Sequence, residues 1–364
     1  MANYIACNHR EERQPVIRTL IHALYDPGGR LPEETEVYEH ALRDADCTAV
    51  SPTVYYLLKQ RGLLEQVPPF FAERMKQSFD DTVCRNVFIK HQLMQLLALF
   101  ERMHIPVIPL KGTRLAERYF GHIGARATTD IDLLVRKHDL NQALQCVQAQ
   151  GYTMGQRPNR SHFHWSLSKR LPHGDIPLTV ELHWGLLREK TSAIDMDEFW
   201  EQAVPMDPFK HVLELSDYHT FYHVCLHGWS HKLDSLKYYM DILQVISVSK
   251  GEIAHARFLK DTAAHQTSRR VARTLAEVFH YFPHSADLYR FPSGRRIRSP
   301  WLNRVHYELL DFDSVKHMAA SVSAAGMAVL SKINSHSFGT KKLQEVVDTE
   351  TRRCYSENVL NKEQ

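Results

Sequence analysis

The segment TTDIDLLV, residues 128–135, places two carboxylates one residue apart inside an apolar run. In an extended strand, residues i and i+2 point to the same face of the sheet. Asp130 and Asp132 are therefore expected to project together, while Ile131 and Leu133 point into a core. Two like charges at this separation repel each other. The segment thus predicts a strand whose polar face holds a divalent cation.

The residues around this segment predict a compact unit of strands and helices. Short apolar runs alternate with stretches of helical periodicity, and turn residues separate them. The predicted elements are strands at 105–110, 129–135, 163–168 and 178–184 and helices at 113–120 and 138–150. Together they predict an α+β fold with a small mixed sheet over residues 105–190.

Helical periodicity dominates on both sides of this unit. We expect a helical N-terminal region at residues 1–104, a helical C-terminal domain at 191–348 and a flexible tail at 349–364. An arginine-rich segment at 290–304 is expected to be a solvated loop rather than a grip for RNA or phosphate.

Composition argues against several classes of protein. A net charge of +3 gives no general argument for a nucleic-acid partner, which stays open but unsupported. Six scattered cysteines without a CxxC pair fit a reducing compartment. No apolar run approaches the roughly 20 residues of a membrane span. We therefore expect a cytoplasmic protein with no membrane partner.

Glu181, in the strand-like segment LTVELHW, is the candidate for a third acid. A glutamate in the middle of a buried strand is costly without a partner. Mg²⁺ binds one or two carboxylates and completes its octahedron with water and substrate phosphate. A third carboxylate on a neighbouring strand would complete a two-metal site and could accept a proton. The alternative is a salt-bridged strand glutamate beside a pair of solvated aspartates.

Lys111, Gly112 and Thr113 lie at a predicted turn from strand to helix, one strand before the aspartates. Free backbone N–H groups at such a helix start can cradle phosphate, and the lysine adds a cation. Each of these features is weak alone. Their order along the chain, at the ends of predicted strands, is much more specific than any one of them.

The stretch IPVIPLKGTRLAERYFGHIGARATTDIDLLV, residues 105–135, resembles the core signature of an uncharacterised bacterial nucleotidyltransferase family. That family belongs to the DNA polymerase beta-like superfamily. The residues that carry the resemblance are Leu110, Lys111, Gly112, Leu115, Tyr119, Arg126, Asp130 and Asp132. It continues through Gly151-Tyr152, VELHWGL and LHGWSHKLDSLKYYMDI, and covers about residues 49–246.

The resemblance implies transfer of a nucleoside monophosphate from an NTP to an acceptor, with release of pyrophosphate. Asp130, Asp132 and Glu181 would be the catalytic and metal-binding acids, with Mg²⁺, or alternatively Mn²⁺, as cofactor. Lys111, Gly112 and Thr113 would meet the triphosphate where the wider superfamily has Gly-Ser. The acceptor stays open and could be a small molecule, a peptide or a protein.

Arg126 precedes Asp130 by four residues, and two interpretations of its role are equally supported. It could steady the phosphates as a nucleotide-binding residue, or it could pair structurally with a strand acid. Asp241, further along the chain, is expected to pair structurally with a nearby basic residue.

Four histidines, His219, His223, His227 and His231, are spaced four residues apart, and we call them the histidine ladder. On one helix they would form a stripe. The spacing permits a zinc site, but there is no HExxH, and Gly228 is expected to end or bend the helix before the last member. A polar stripe at a cleft or a satisfied core is favoured. Within that interpretation, the candidate acceptor contacts are His183, His227 and His231.

Two rival functions remain at the level of sequence. One is a catalytically silent nucleotide-binding module or one half of a toxin–antitoxin pair, which intact acids argue against. The other is a zinc hydrolase that uses the histidine ladder.

Overall fold

A computed structural model describes residues 16–26, 28–155, 163–170, 177–249, 253–285, 313 and 317. Within these residues there are eleven α-helices, a five-stranded mixed sheet and a two-stranded sheet. The predicted loop at 290–304 and the predicted tail at 349–364 lie outside the described residues. The boundaries given above for the helical N-terminal region, the mixed-sheet unit and the helical C-terminal domain remain predictions.

The five-stranded sheet has the order β1-β2-β5-β4-β3. Its strands are β1 Val107–Pro109, β2 Asp130–Val135, β3 Thr153–Met154, β4 His164–Lys169 and β5 Leu178–His183. Strands β2 and β5 pair in parallel, and the other neighbours pair antiparallel. This parallel register places Asp132 directly beside Glu181.

Helices lie before, between and after the strands. They are α1 Ile17–Tyr25, α2 Thr35–Thr48, α3 Ser51–Gln60, α4 Pro69–Arg102, α5 Thr113–Phe120, α6 Leu140–Ala149, α7 Met196–Glu201, α8 Asp217–Ser230, α9 Leu236–Ser249, α10 His255–Ala264 and α11 Ser268–Tyr281. The small sheet pairs β6 Val204–Pro205 with β7 Leu213–Glu214. No helix in the described ranges combines the length and the apolar character needed to cross a membrane.

One face of the main sheet is apolar and covered. Ile131 and Leu133 of β2 join Val180 and Leu182 of β5 in a buried cluster that also contains side chains of α4 and α6. Because strand side chains alternate, the acids at 130, 132 and 181 project from the opposite face. The fold therefore separates a packed face from a polar one.

Helices α3 and α4 hold the segment that leads into β2. The side-chain amide of Asn86 on α4 donates hydrogen bonds to the carbonyl oxygens of Ile123 and Arg126, at 2.6 and 2.7 Å. The hydroxyl of Thr53 on α3 donates to the carbonyl oxygen of Ala125 at 2.6 Å. The N-terminal helices thus fix the backbone directly ahead of the aspartate pair.

The predicted α+β class is confirmed, and the structure adds three short strands that were not predicted, β3 in the main sheet and β6 and β7 in the small one. Helix α2 lies in the N-terminal region that was predicted to be helical, and its buried positions include Tyr38, Ala41 and Ala45. Gly228 is not the last residue of α8, but the helix does end before His231, at Ser230, as expected. A Cβ atom at Gly228 would lie 2.9 Å from the side chain of Leu233, so the glycine serves close packing instead.

Candidate functional site

Asp130, Asp132 and Glu181 converge on the polar face of the sheet. One carboxylate oxygen from each lies within 4.8 Å of the others. The arrangement follows from the register, since Asp132 and Glu181 are direct neighbours on parallel strands and Asp130 shares their face. Oxygen donors on rigid strands suit Mg²⁺ or Mn²⁺, which favour carboxylate ligands. The residues present therefore fit the metal that the sequence predicts.

Lys111 lies between the two aspartates. Its Nζ atom is 2.9 Å from Oδ2 of Asp132 and 3.2 Å from Oδ2 of Asp130. Burial alone would raise the pKa of Asp132, whose side chain is fully buried, but Lys111 and His183 outweigh burial and hold that pKa well below its usual value. Burial alone would lower the pKa of Lys111, but the two aspartates outweigh burial and keep that pKa raised.

His183 joins the acids of the two strands. Its Nε2 atom lies 3.2 Å from both Oδ1 of Asp132 and Oε2 of Glu181. Burial disfavours the imidazolium, but hydrogen bonds to both carboxylates raise the pKa of His183 to about 9. The same contact keeps the pKa of Glu181 lowered against the effect of burial. At neutral pH, His183 therefore carries a positive charge that links the two acids.

The turn at residues 111–113, which was predicted to cradle phosphate, lies beside the aspartates. Gly112 has φ 76° and ψ −137°, and α5 begins at the next residue. A Cβ atom there would be in van der Waals contact with the side-chain methyl of Thr128, at 3.4 Å, so it is the backbone conformation that favours glycine. Residues 111–113 line one small cavity together with Asp130 and Asp132. The hydroxyl-bearing Thr113 is itself buried.

Arg126 forms a bidentate ion pair with Asp241 on α9. The guanidinium donates hydrogen bonds at 2.6 and 2.7 Å to the two carboxylate oxygens, and both side chains are 3% exposed. The expected structural pairing of Asp241 with a basic residue is therefore present. The carboxylate partner of Arg126 lies on a helix and not, as its structural interpretation had expected, on a strand.

The histidine ladder divides between two environments. His223 and His227 are near Lys111, and burial together with that cation lowers the pKa of His223 to about 3 and the pKa of His227 well below its usual value. The rings of His227 and His231 pack on Tyr238 of α9, with centroids 5.2 and 5.0 Å from the tyrosine ring.

His219 at the other end of the ladder is buried, with its ring 4.2 Å from that of Phe199. The ladder therefore lies partly near Lys111 and partly in the core, and its role as an acceptor contact stays a prediction. His183, the remaining candidate acceptor contact, lies among the acids, and its charge acts on His223 of the ladder.

Sequence reasoning missed several side chains near the site. His164 and Ser166 on β4 lie opposite His183 and Glu181 in the antiparallel register. Lys237 on α9 has its pKa lowered to about 8 by burial and by nearby Arg126. A signal for the lysine existed in the sequence, because position 237 precedes Asp241 by four residues and so shares its helix face. No comparable signal pointed to β4, whose partner strand is set by tertiary pairing.

Two groups of side chains among the described residues could hold a metal ion. One is Asp130, Asp132 and Glu181, and the other is His164, Glu181 and His183. Neither contains a member of the histidine ladder, so the geometry gives no support to a zinc hydrolase built on it.

Comparison with known proteins gives one finding. A family model described as uncharacterised nucleotidyltransferase matches residues 36–283, and so extends beyond the resemblance seen in the sequence at both ends. No curated protein and no solved structure matches the chain. The matched region contains the three acids, the turn at residues 111–113 and helices α8 and α9, and it covers well over half of the 364 residues. The chain belongs to the uncharacterised nucleotidyltransferase family, as the sequence predicts.

Proposed function

We propose that the protein transfers a nucleoside monophosphate from an NTP such as ATP to an acceptor, with a divalent metal ion as cofactor. The observation that carries this proposal is the convergence of Asp130, Asp132 and Glu181 beside Lys111. Family membership supports the same reaction class. Mg²⁺ is the expected ion, with Mn²⁺ as an alternative, because all three donors are carboxylates.

The acidic residues Asp130, Asp132 and Glu181 would hold the metal, and Lys111 and the Gly112 turn would face the triphosphate. The bound metal would supply charge neutralisation at the phosphates. Lys111 would offset negative charge on the leaving pyrophosphate. Thr113 begins the helix whose N-terminal amides would face the phosphates. Arg126, paired with Asp241, lies near enough to Asp130 and Asp132 for their charges to act on it, and it would steady the phosphates.

In the reaction, an acceptor oxygen forms a bond to the α-phosphorus. The bond from that phosphorus to the bridging oxygen of the β-phosphate breaks, and pyrophosphate leaves with the electron pair. Glu181 orients the acceptor hydroxyl or takes its proton. The acceptor is proposed to lie near His183, His227 and His231, and it belongs to the class of small molecules, peptides or proteins of the cytoplasm.

The direct experiment compares wild-type protein with Asp130→Asn for transfer of labelled NMP in the presence of Mg²⁺. Loss of one metal-binding carboxylate should reduce transfer by about a thousandfold or more, since bound metal provides several kcal/mol of transition-state stabilisation. The matched control is Asp80→Asn, which removes an exposed carboxylate of α4 that is not part of the candidate site. Equal transfer by wild type and Asp130→Asn would disprove the assignment.

A catalytically silent nucleotide-binding module is the second candidate. The observation that favours it is the position of Lys111, which already balances both aspartates at 2.9 and 3.2 Å. This reading predicts nucleotide binding that does not depend on Mg²⁺ and gives no pyrophosphate. Calorimetry with ATP, with and without Mg²⁺, separates the two functions.

A further inference from the structure

Two histidines and a glutamate meet on the polar face of β4 and β5. His164 and His183 are direct neighbours in the antiparallel register, and their ring centroids are 4.9 Å apart. Glu181 precedes His183 by two residues and so projects from the same face of β5. One donor atom from each of the three side chains lies within 4.8 Å of the others. The sheet therefore fixes a mixed nitrogen and oxygen donor set next to the aspartate pair.

The distances suit a single small ion. Nε2 of His183 is 3.2 Å from Oε2 of Glu181, and Nε2 of His164 is 3.9 Å from Oε1 of Glu181. Ligands about 2.1 Å from one ion lie about 3.0 to 3.4 Å apart when their angle is octahedral or tetrahedral. The first distance already falls in this interval. Because His164 is partly exposed, a small rotation of its ring would bring the second distance, from His164 to Glu181, into the same interval.

The donor chemistry differs from that of the three acids. Mg²⁺ prefers oxygen ligands, whereas imidazole suits zinc, copper, iron, cobalt and nickel ions. Two imidazoles and one carboxylate leave positions open for water or another ligand. The His183 side chain is 10% exposed, and its Nδ1 has no hydrogen-bond partner among the described residues. Its Nε2 faces both Asp132 and Glu181 at 3.2 Å, and a metal ion bound there would displace the proton that the two carboxylates hold on the imidazole.

We propose that His164, Glu181 and His183 form a second cation site that binds a first-row transition-metal ion. This site shares Glu181 with the acid trio but does not include Asp130. It is defined by its nitrogen ligands and does not rest on nucleotidyl transfer. The structure thus gives two adjacent cation sites with different preferences, one for a hard ion and one for a softer ion.

Co²⁺ is the probe, because nitrogen ligands and low coordination number give it a strong visible absorption that an all-oxygen octahedral site lacks. Full-length protein is stripped with chelator and titrated with Co²⁺ up to one equivalent. Wild-type protein should develop the band. His164→Gln should lose it and bind Co²⁺ at least about tenfold more weakly, since even outer-shell changes cost that much in metal sites.

Two matched variants separate this site from others. Asp130→Asn should keep the Co²⁺ band although it removes an acid of the first site. His138→Gln removes a histidine whose side chain is 74% exposed and should also keep the band. Circular dichroism must show the wild-type spectrum for each variant.

A second measurement uses wild-type protein only, so that the proposal can be tested even if His164→Gln does not fold. With ¹⁵N-labelled histidine, one equivalent of Zn²⁺ should shift the signals of two imidazoles. The proposal is overturned if wild type gives no band, if folded His164→Gln gives the wild-type band, or if fewer than two imidazoles shift. Absence of NMP transfer in wild type would instead refute the proposed function and leave this site standing.

Discussion

Buried charge is arranged in pairs around the candidate site. Arg126 and Asp241 are both 3% exposed and form two hydrogen bonds of 2.6 and 2.7 Å. A charge left without its partner in such a place costs more than the pair contributes, because its desolvation is then uncompensated. The ion pair joins the segment before β2 to helix α9. It therefore ties the core that carries the acids to the C-terminal helices.

Asp241→Asn should destabilise the protein by about 3 to 5 kcal/mol, because it leaves the Arg126 guanidinium buried and unbalanced. The free energy of unfolding is measured by urea denaturation at pH 7. The double variant Arg126→Met with Asp241→Leu should recover most of that loss, since two apolar side chains then replace two charges.

The matched control for this prediction is Asp80→Asn. It breaks an exposed ion pair with Lys76, at 2.6 Å and with both side chains more than half exposed. The denaturation midpoint should not move, because solvent already screens these charges. A similar loss in Asp80→Asn and Asp241→Asn would contradict the role given to burial.

The turn between β1 and α5 shows how one element positions the chemistry. Leu110 donates a backbone hydrogen bond to the carbonyl oxygen of Asp132 at 3.0 Å, so the turn begins in register with β2. Gly112 then reverses the chain in a conformation that side-chain-bearing residues rarely adopt. This geometry places Lys111 over the aspartates and starts α5 one residue later.

Gly112→Ala should cost about 1 to 3 kcal/mol of stability, because alanine is strained at this φ and ψ. It should also weaken nucleotide binding, since relief of the strained backbone at this φ displaces the turn that carries Lys111. Urea denaturation gives the first quantity, and calorimetric titration with ATP and Mg²⁺ gives the second.

Gly62→Ala is the control for the losses of stability and ATP affinity expected in Gly112→Ala. Gly62 also has a positive φ, 65°, but a Cβ atom there meets nothing within 4 Å. It should lose stability of about 1 kcal/mol through backbone strain alone and leave ATP affinity unchanged. Unchanged ATP affinity in Gly112→Ala would remove the turn from the nucleotide site.

Buried neutral histidines set the acid response of the whole molecule. Burial, with nearby Arg257, lowers the pKa of His219 to about 4, and burial lowers the pKa of His223 to about 3. The unfolded value is near 6.5. Between the folded and unfolded values, the unfolded chain binds more protons than the folded one. Stability should therefore fall as pH drops through this interval.

His219→Gln should flatten this dependence by about 1.4 kcal/mol per pH unit between about pH 4 and pH 6.5. The measurement is the free energy of unfolding at several pH values in this range. His138→Gln, which changes an exposed histidine, should keep the wild-type slope. An identical slope in wild type and His219→Gln would show that this imidazole titrates alike in both states.

The spacing of apolar and polar residues along the sequence was enough to predict many of the strands and helices. The alternation in DIDLLV predicted β2 with its acids on one face, and LKGTRLAERYF predicted the turn and α5. Family membership was also readable, because the motif residues lie close together in the chain. Alternation and helical period depend on neighbouring residues, and these can be read without knowing any partner element.

Only the tertiary structure decided which elements meet. The parallel pairing of β2 with β5 brought Glu181 beside Asp132, and the antiparallel pairing with β4 added His164. The ion pair from Arg126 to Asp241 spans 115 positions of sequence. Strand order and helix docking depend on burial summed over the whole chain, so no local pattern contains them.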